Sequence, residues 1–315
     1  MATNPCPCDS GKFAVDCCIQ GNHADTKPAN IQPPPPLTGF ANPKCYARFT
    51  NDCSTKISGE HYISRTVLES METADGVQVT GLRWQKQQVP QWISPGALTA
   101  NILCKRHNEA LSPLDAQAGR LIRAITTFDA DFNSPAPKTD IKFFAGEDIE
   151  RWMLKTTCGM VQAKALPPDA FRMTEVPQEW VDILFGKLVW NAPFGLYLKH
   201  AAEIRHSRSF FFQPRAHRPN GALLEAILHL NGLAFSLPVV RCVNPEALGI
   251  YRPRSINLRQ AKVIKFVEFC WQDPQYEKGI IFERTGTYSG GSPGRAQFVA
   301  DLKYPPPYFV TPSDP

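Results

Sequence analysis

Apolar residues recur at steps of three and four residues towards the middle of the chain. The positions are Leu111, Leu114, Ala118, Leu121 and Ile122. This spacing is typical of one face of an α-helix and predicts a helix here. A Ser-Pro pair at 112–113 falls inside the pattern, and could interrupt this helix or start a new one with Ser as cap and Pro in the first turn.

Two further helices and a set of strands are predicted in the second half. Residues 148–155 have an amphipathic pattern with Gly159 near its end, and residues 177–186 suggest a shorter helix. Beyond Gly195 the pattern changes to short β-branched and aromatic runs between Pro and Gly residues, at 209–212, 232–240 and 279–282. The second half is therefore predicted to be a mixed α+β domain with an antiparallel sheet.

Cysteine and proline spacing divides the chain into four predicted parts. Residues 1–22 form a cysteine-rich knuckle, and residues 23–43 form a linker whose four prolines at 33–36 favour a semi-rigid spacer. Residues 44–130 form a second metal-binding module. A Pro- and Ser-rich loop at 133–138 marks the boundary with the last part, residues 131–315, whose role the sequence leaves unassigned.

Composition favours a folded, mildly basic protein. Of its 315 residues, 43% are hydrophobic and 20% charged, with a formal charge of +5. This charge is compatible with a nucleic-acid partner without requiring one. We expect a cytoplasmic chain without a membrane span, because no apolar run reaches about 18 residues and the N-terminus has no secretion signal. In that compartment ten cysteines favour metal ligation over disulfides.

The first cysteine cluster predicts a zinc site. Cys6, Cys8, Cys17 and Cys18 have the spacing C-x-C-x8-C-C, with a flexible Gly11 between the pairs. Four thiolates can surround zinc tetrahedrally, and the metal would supply the folding free energy of so short a segment. The alternative is a set of reactive or disulfide-bonded thiols.

These residues resemble the SEC-C motif, a small zinc module found at the C-terminus of the translocation ATPase SecA and on many bacterial proteins. The resemblance covers about 20 residues. It implies a bacterial-type protein whose knuckle docks a protein partner.

A second set of four ligands is spread over a longer stretch. It consists of Cys45, Cys53, Cys104 and His107. Cys3His is a standard set for structural zinc, although seven residues separate the first two ligands. We therefore predict a second structural zinc site.

Between these ligands lie residues suited to phosphodiester hydrolysis. At the predicted end of a strand, His61 could act as the general base that activates water. Glu60 and Asn108 could give oxygen ligands to a catalytic divalent cation, Mg2+ or Mn2+. Asn101 could hold the His61 imidazole in its productive tautomer through an amide hydrogen bond.

Over residues 45–125 the chain resembles the HNH (His-Me finger) endonucleases. The resemblance rests on Glu60-His61 and on the stretch Asn-Ile-Leu-Cys-Lys-Arg-His-Asn at 101–108. It implies a zinc-stapled ββα module in which His61 is the general base, Asn101 orients it, and Glu60 and Asn108 bind the catalytic metal. Asn108 stands in place of the usual His, His107 replaces a Cys, and the stretch from His61 to Asn101 is long enough to hold an inserted hairpin.

Basic residues cluster in the second half beside aromatic ones. Arg205, Arg208, Arg215 and Lys262 are the candidate nucleic-acid contacts, the first three lying around three consecutive Phe at 210–212. The alternative is a solvated strand edge with the Phe rings partly in the core.

The sequence thus predicts an α+β protein with a zinc knuckle, a zinc-stapled ββα module and a mixed α+β C-terminal domain. The expected function is metal-dependent endonucleolytic hydrolysis, with DNA as the expected substrate. The alternative is a non-catalytic zinc-binding adaptor that recruits a protein or nucleic-acid partner.

Overall fold

The fold is mixed α and β, with four α-helices and several sheets among the described residues. The computed structural model describes residues 5–20, 23–24, 26–85, 89–131, 137–168, 170–199, 209–230, 233–260, 263–272, 279–285, 295–297 and 309–310. The helices are α1 Arg65–Met71, α2 Lys105–Asp131, α3 Gly146–Gln162 and α4 Gln178–Leu184. None of these described helices has the length and apolar character needed to cross a bilayer.

The described strands are two to eight residues long. In chain order they are β1 Ile19–Gln20, β2 His23–Ala24, β3 Ile57–His61, β4 Val77–Thr80, β5 Gln91–Ile93, β6 Thr99–Cys104, β7 Lys138–Ala145, β8 Tyr197–Lys199, β9 Ser209–Ala216, β10 Leu223–Leu230, β11 Leu233–Pro238, β12 Arg241–Cys242, β13 Ile250–Tyr251, β14 Ser255–Gln260, β15 Val263–Cys270, β16 Gly279–Thr285, β17 Arg295–Gln297 and β18 Phe309–Val310.

Strands β3 and β6 pair antiparallel, and α2 begins directly after β6. Ile57 lies opposite Cys104 at one end of the pair, and His61 lies opposite Thr99 at the other. The predicted apolar face of α2 is buried as its spacing indicates, with Leu111 and Leu114 fully enclosed. This arrangement puts the end of β6, the start of α2 and His61 on one small unit.

Helix α2 continues through Pro113 without the predicted interruption. A proline inside a helix frees the carbonyl four residues earlier, which is that of Glu109. The Ser112 hydroxyl donates a hydrogen bond to this carbonyl at 2.8 Å. The freed acceptor is therefore satisfied locally, which explains how 27 residues remain one helix.

The stretch between His61 and Asn101 contains the expected hairpin, β4 with β5, preceded by α1, which the pattern did not predict. The hairpin extends a seven-stranded sheet of order β13-β8-β11-β10-β9-β4-β5. Gly81 follows β4 with φ +90°, and a Cβ there would lie 1.9 Å from the Phe212 carbonyl oxygen. Glycine is required because only it allows this backbone conformation and this close approach.

The second large sheet departs from the antiparallel prediction. Its order is β17-β16-β14-β15-β7, and both β14–β16 and β15–β7 pair in parallel. Parallel neighbours need a long connection. Between β7 and β15 the chain forms α3, α4 and most of the seven-stranded sheet, which is ample for this purpose.

Helix α3 lies at the centre of the molecule. Trp152 and Cys158 are fully buried, and buried residues occur around most of the helix circumference. One hydrophobic cluster extends from Ile31 in the proline-rich segment to Phe269 on β15. The segment is also tied down by polar contacts, as the Ala29 N–H donates to both carboxylate oxygens of Asp148 at 3.0 and 3.1 Å.

Candidate active site and metal centres

The structure brings together the four predicted ligands of the second cluster. All four side chains are buried, and their ligand atoms lie within 4.8 Å of one another. From His107 Nδ1 the distances are 3.2 Å to the sulfur of Cys104, 3.6 Å to that of Cys45 and 3.7 Å to that of Cys53. A zinc tetrahedron with Zn–S bonds near 2.3 Å has edges of about 3.8 Å. The cluster could bind a metal ion and is consistent with structural zinc.

A neighbouring threonine prepares His107 for ligation. The Thr50 hydroxyl lies 2.9 Å from His107 Nε2 and donates its own hydrogen to the Ala47 carbonyl at 2.9 Å. Because that hydroxyl has only one hydrogen, Nε2–H must be the donor to Thr50. The unprotonated Nδ1 then faces the three thiols, which is the tautomer that a metal ligand needs.

The four cysteines of the knuckle also converge. Their sulfur atoms lie within 4.8 Å of one another, with Cys8 and Cys17 3.5 Å apart. Burial acts to raise the pKa of Cys8, but hydrogen bonds led by Ser10 outweigh it and lower that pKa to about 6. A thiol that ionises so readily is a good metal ligand. This cluster too is consistent with structural zinc.

The knuckle packs against the rest of the molecule. Phe143 on β7 is buried in one cluster with Cys6, Ala14 and Cys18, and its N–H donates to the Pro7 carbonyl at 3.2 Å. These contacts fix the knuckle beside β7 and α2.

His61 ends β3 with a partly buried side chain. Burial, followed by the charges of Arg65 and Lys155, lowers the pKa of His61 below its ordinary value. Its Nε2 atom is shielded from solvent and has no hydrogen-bond partner among the described residues. Other buried side-chain atoms of the described residues, such as Tyr46 Oη, also have no hydrogen-bond partner, so this property alone does not single out His61. A neutral imidazole with an unpaired nitrogen has the protonation state that a general base requires, and a water molecule must reach this nitrogen for it to act.

Glu60 points into the protein, since neighbouring residues of a strand face opposite sides. It forms a short ion pair with Lys155 of α3, whose Nζ also lies 2.8 Å from Asp115 Oδ2. Ser64 donates to Asp115, and Trp152 Nε1 donates to Ser64 Oγ at 2.6 Å. The result is a buried polar network immediately beneath His61.

The charge states of Glu60 and Lys155 depend on two opposing effects, burial and the charges of their neighbours. Burial raises the pKa of Glu60, and Lys155 acts against that effect. Burial also acts to lower the pKa of Lys155, but Asp115 and Glu60 together hold it above its ordinary value. Lys155 is therefore charged. The sequence pattern did not assign Lys155 or Asp115 to the site, although a lysine within an otherwise buried helix is itself unusual.

Truncating Lys155 tests how firmly this network holds the site. Lys155→Met would leave the buried Glu60 and the partly buried Asp115 without their cation, and should lower the free energy of unfolding by about 3–5 kcal/mol. The matched control is Lys187→Met, because Lys187 faces Asp182 at 3.8 Å on the surface and is 49% exposed. That change should cost less than about 1 kcal/mol. Guanidinium denaturation measures both, and equal losses would contradict a structural role for Lys155.

The two predicted asparagines lie on the same unit as Glu60 and His61, but among the described residues no hydrogen bond joins them to that pair. Asn101 is exposed on β6 beside a β-bulge, and among the described residues no hydrogen bond joins it to His61. Asn108 is half-buried in the first turn of α2, directly after His107. Seven residues are almost two full helical turns, so Asn108 and Asp115 share a face of α2 about 10 Å apart.

Of the four candidate nucleic-acid contacts, only Arg215 lies within the described residues. Arg205, Arg208 and Lys262 fall outside them. Arg215 on β9 forms an ion pair with the fully buried Glu225, at 3.2 Å. Its charge is therefore partly neutralised within the protein.

Comparison with known proteins gives no relative for this chain. No family model, no curated protein and no solved structure matches it. The functional argument therefore depends on the residues and their geometry.

Proposed function

We propose that this protein is a metal-dependent endonuclease of the HNH type that hydrolyses phosphodiester bonds, with DNA as its substrate. The observation that carries this proposal is His61 itself: a neutral imidazole with an unpaired nitrogen, at the end of a strand whose partner leads into a Cys3His cluster. The order of a Glu-His pair, an Asn and a zinc-type cluster followed by Asn matches the sequence resemblance.

The proposed chemistry assigns one task to each residue. The His61 imidazole removes a proton from a water molecule as the water oxygen attacks the phosphorus. The ester bond between the phosphorus and the leaving oxygen breaks, and the leaving oxygen takes a proton from solvent water. Glu60 and Asn108 would hold a divalent cation, and the sequence resemblance assigns to Asn101 the orientation of the imidazole. The cation, when bound, stabilises negative charge on the phosphate and on the leaving oxygen.

The described contacts leave Glu60 able to serve as an oxygen ligand. Lys155 contacts Oε1 of the carboxylate, and no hydrogen bond to Oε2 occurs among the described residues. Carboxylate and amide oxygens are the ligands that Mg2+ and Mn2+ favour. Lys155 would then position the carboxylate while Oε2 faces the cation.

The proposed zinc ions have structural tasks. In the Cys3His cluster, Cys104 ends β6 and His107 lies in the first turn of α2. Zinc there would lock the junction that carries Asn101 on one side and Asn108 on the other. The knuckle zinc would stabilise a segment that has almost no apolar core of its own.

Asn108→Ala should raise the Mg2+ concentration needed for half-maximal DNA cleavage by at least about tenfold, since even indirect metal contacts have effects of this size. The zinc content should not change. Titrating Mg2+ in a plasmid-cleavage assay measures the effect. Asn191→Ala removes an exposed amide from a turn and serves as the control. An unchanged Mg2+ requirement in Asn108→Ala would remove Asn108 from the proposed site.

A non-catalytic adaptor is the second candidate, and the Glu60–Lys155 ion pair favours it. A carboxylate neutralised by a buried lysine can be a purely structural element. An adaptor would keep both zinc ions and its fold but cleave neither DNA nor RNA with Mg2+ or Mn2+. Metal-dependent cleavage would exclude it.

A further inference from the structure

A large cleft lies between the knuckle and the main body of the protein. Its volume is about 1010 Å³. The knuckle forms one wall and the middle of α2 forms the other, with Gln117, Arg120 and Arg123 on the helix, while Lys142 of β7 lies at the side. The residues proposed for catalysis do not line it.

The cleft is lined by more basic than acidic side chains. The basic ones are Lys12, Lys27, Arg120, Arg123 and Lys142, and the acidic ones are Asp9 and Asp16. Both Lys142 and Arg120 pair with Asp9, at 2.8 and 3.6 Å. These two cations also lie beside the knuckle, whose proposed zinc–thiolate centre is anionic, and we assign them to its neutralisation.

Three cations remain without such a partner. Lys12, Lys27 and Arg123 are exposed, and none forms an ion pair with a described residue. Against the remaining acid, Asp16, they leave an excess of positive charge in the cleft. An excess of one sign around a concave surface focuses the electrostatic potential and attracts ligands of the opposite sign. The lining includes no aromatic ring for base stacking. The cleft is therefore suited to an anionic ligand, and its contacts would not depend on stacking with nucleotide bases.

We propose that this cleft binds the phosphodiester backbone of the nucleic acid that the protein cleaves, so that Lys12, Lys27 and Arg123 are phosphate contacts. This inference rests on the proposed function and states where on the protein the nucleic-acid substrate binds. Helix α2 carries both Asn108 and the cleft residue Arg123, which lies 15 residues, or about 22 Å, from Asn108. That distance corresponds to about six or seven base pairs. One short duplex can therefore reach both the cleft and the proposed catalytic residues.

The test measures the binding of a DNA duplex under conditions in which the protein cannot cleave it. Zinc-loaded, full-length His61→Ala protein without added Mg2+ or Mn2+ is titrated against a fluorescein-labelled duplex of about 20 base pairs, and anisotropy is recorded at several NaCl concentrations. Adding Lys12→Gln, Lys27→Gln and Arg123→Gln should raise the Kd at least about tenfold and reduce the slope of log Kd against log salt by about 2–3. All three side chains are exposed, so the fold should be retained.

The matched control carries Lys164→Gln, Arg172→Gln and Arg241→Gln, which remove the same charge from exposed positions outside the cleft. A small effect in this control supports the cleft as the contact. Equal weakening in both triple variants would overturn the inference, because net charge alone would then explain binding. Displacement of the duplex by millimolar inorganic phosphate at constant ionic strength would also overturn it, indicating a small-anion site.

The result of this binding test can be told apart from the result of a test of the nuclease proposal. Weaker duplex binding confined to the cleft variant supports the cleft even if the wild-type protein cleaves nothing. Metal-dependent cleavage by the wild type together with unchanged binding by the cleft variant would retain the nuclease and remove the cleft.

Discussion

His61→Ala should reduce DNA cleavage by about 10²–10⁴-fold, the usual contribution of a general base, and thus to background in a plasmid assay. The imidazole is held neutral by its surroundings, and its Nε2 has no partner among the described residues. Removing it therefore breaks no observed hydrogen bond. Zinc content and the unfolding transition should be close to those of the wild type.

The control for this substitution is His217→Ala, which removes a half-buried imidazole that contacts Asn220 in the turn after β9, away from the proposed site. It should cleave at the wild-type rate. Cleavage that survives His61→Ala with undiminished rate would show that another group activates the water. Loss of zinc or of the cooperative unfolding transition in His61→Ala would instead indicate a structural histidine.

Cys104→Ser should release one of the two proposed zinc ions and unfold the unit formed by β3, β6 and α2. The four ligands are fully enclosed, and Cys104 joins β6 to α2. Structural zinc contributes about 10–16 kcal/mol to the folding of small zinc domains, while a whole domain has a stability of only about 5–15 kcal/mol. Hydrogen bonds from Cys45 and Cys53 also lower the pKa of Cys104 while the pKa values of those two thiols are raised, so the mutation removes the most readily ionised sulfur of this cluster.

Cys158→Ser is the matched control, because Cys158 is equally buried but belongs to neither cluster. It should keep two zinc ions per chain and a cooperative transition. Elemental analysis and far-ultraviolet circular dichroism measure both properties. A Cys104→Ser protein with two zinc ions and wild-type stability would contradict the assignment of this cluster.

Local patterns in the sequence predicted most of the helices and all the clustered cysteines. The spacing from Leu111 to Ile122 predicted α2, and short-range spacing paired Cys104 with His107 one helical turn apart. The continuity of α2 through Pro113 depends on a single hydroxyl, that of Ser112. Such a contact is local, but no periodicity indicates it.

The polar network beneath His61 could not be predicted in the same way. Lys155 reaches Glu60 across 95 residues of sequence and Asp115 across 40. Neither spacing has a periodic signature, because the contacts arise only when α3 packs against the unit of β3 and α2. The parallel pairing of β7 with β15 has the same cause, since their separation exceeds any local pattern.

Runs of basic residues in the sequence also did not identify which cations come together on one surface. Arg215 belongs to a basic run, but its partner Glu225 lies on the neighbouring strand β10 and is fully buried. The cations of the cleft, by contrast, come from distant segments: Lys12 and Lys27 from the N-terminal region and Arg123 from α2. They form one surface only because the knuckle packs against β7 and α2.

The most direct test of the central claim is incubation of supercoiled plasmid with zinc-loaded, full-length wild-type protein in Mg2+ or Mn2+. We predict nicked or linear DNA that forms only with added divalent metal and is absent with the His61→Ala protein. Intact plasmid with either metal, from folded protein that contains both zinc ions, would contradict the nuclease and favour a zinc-binding adaptor.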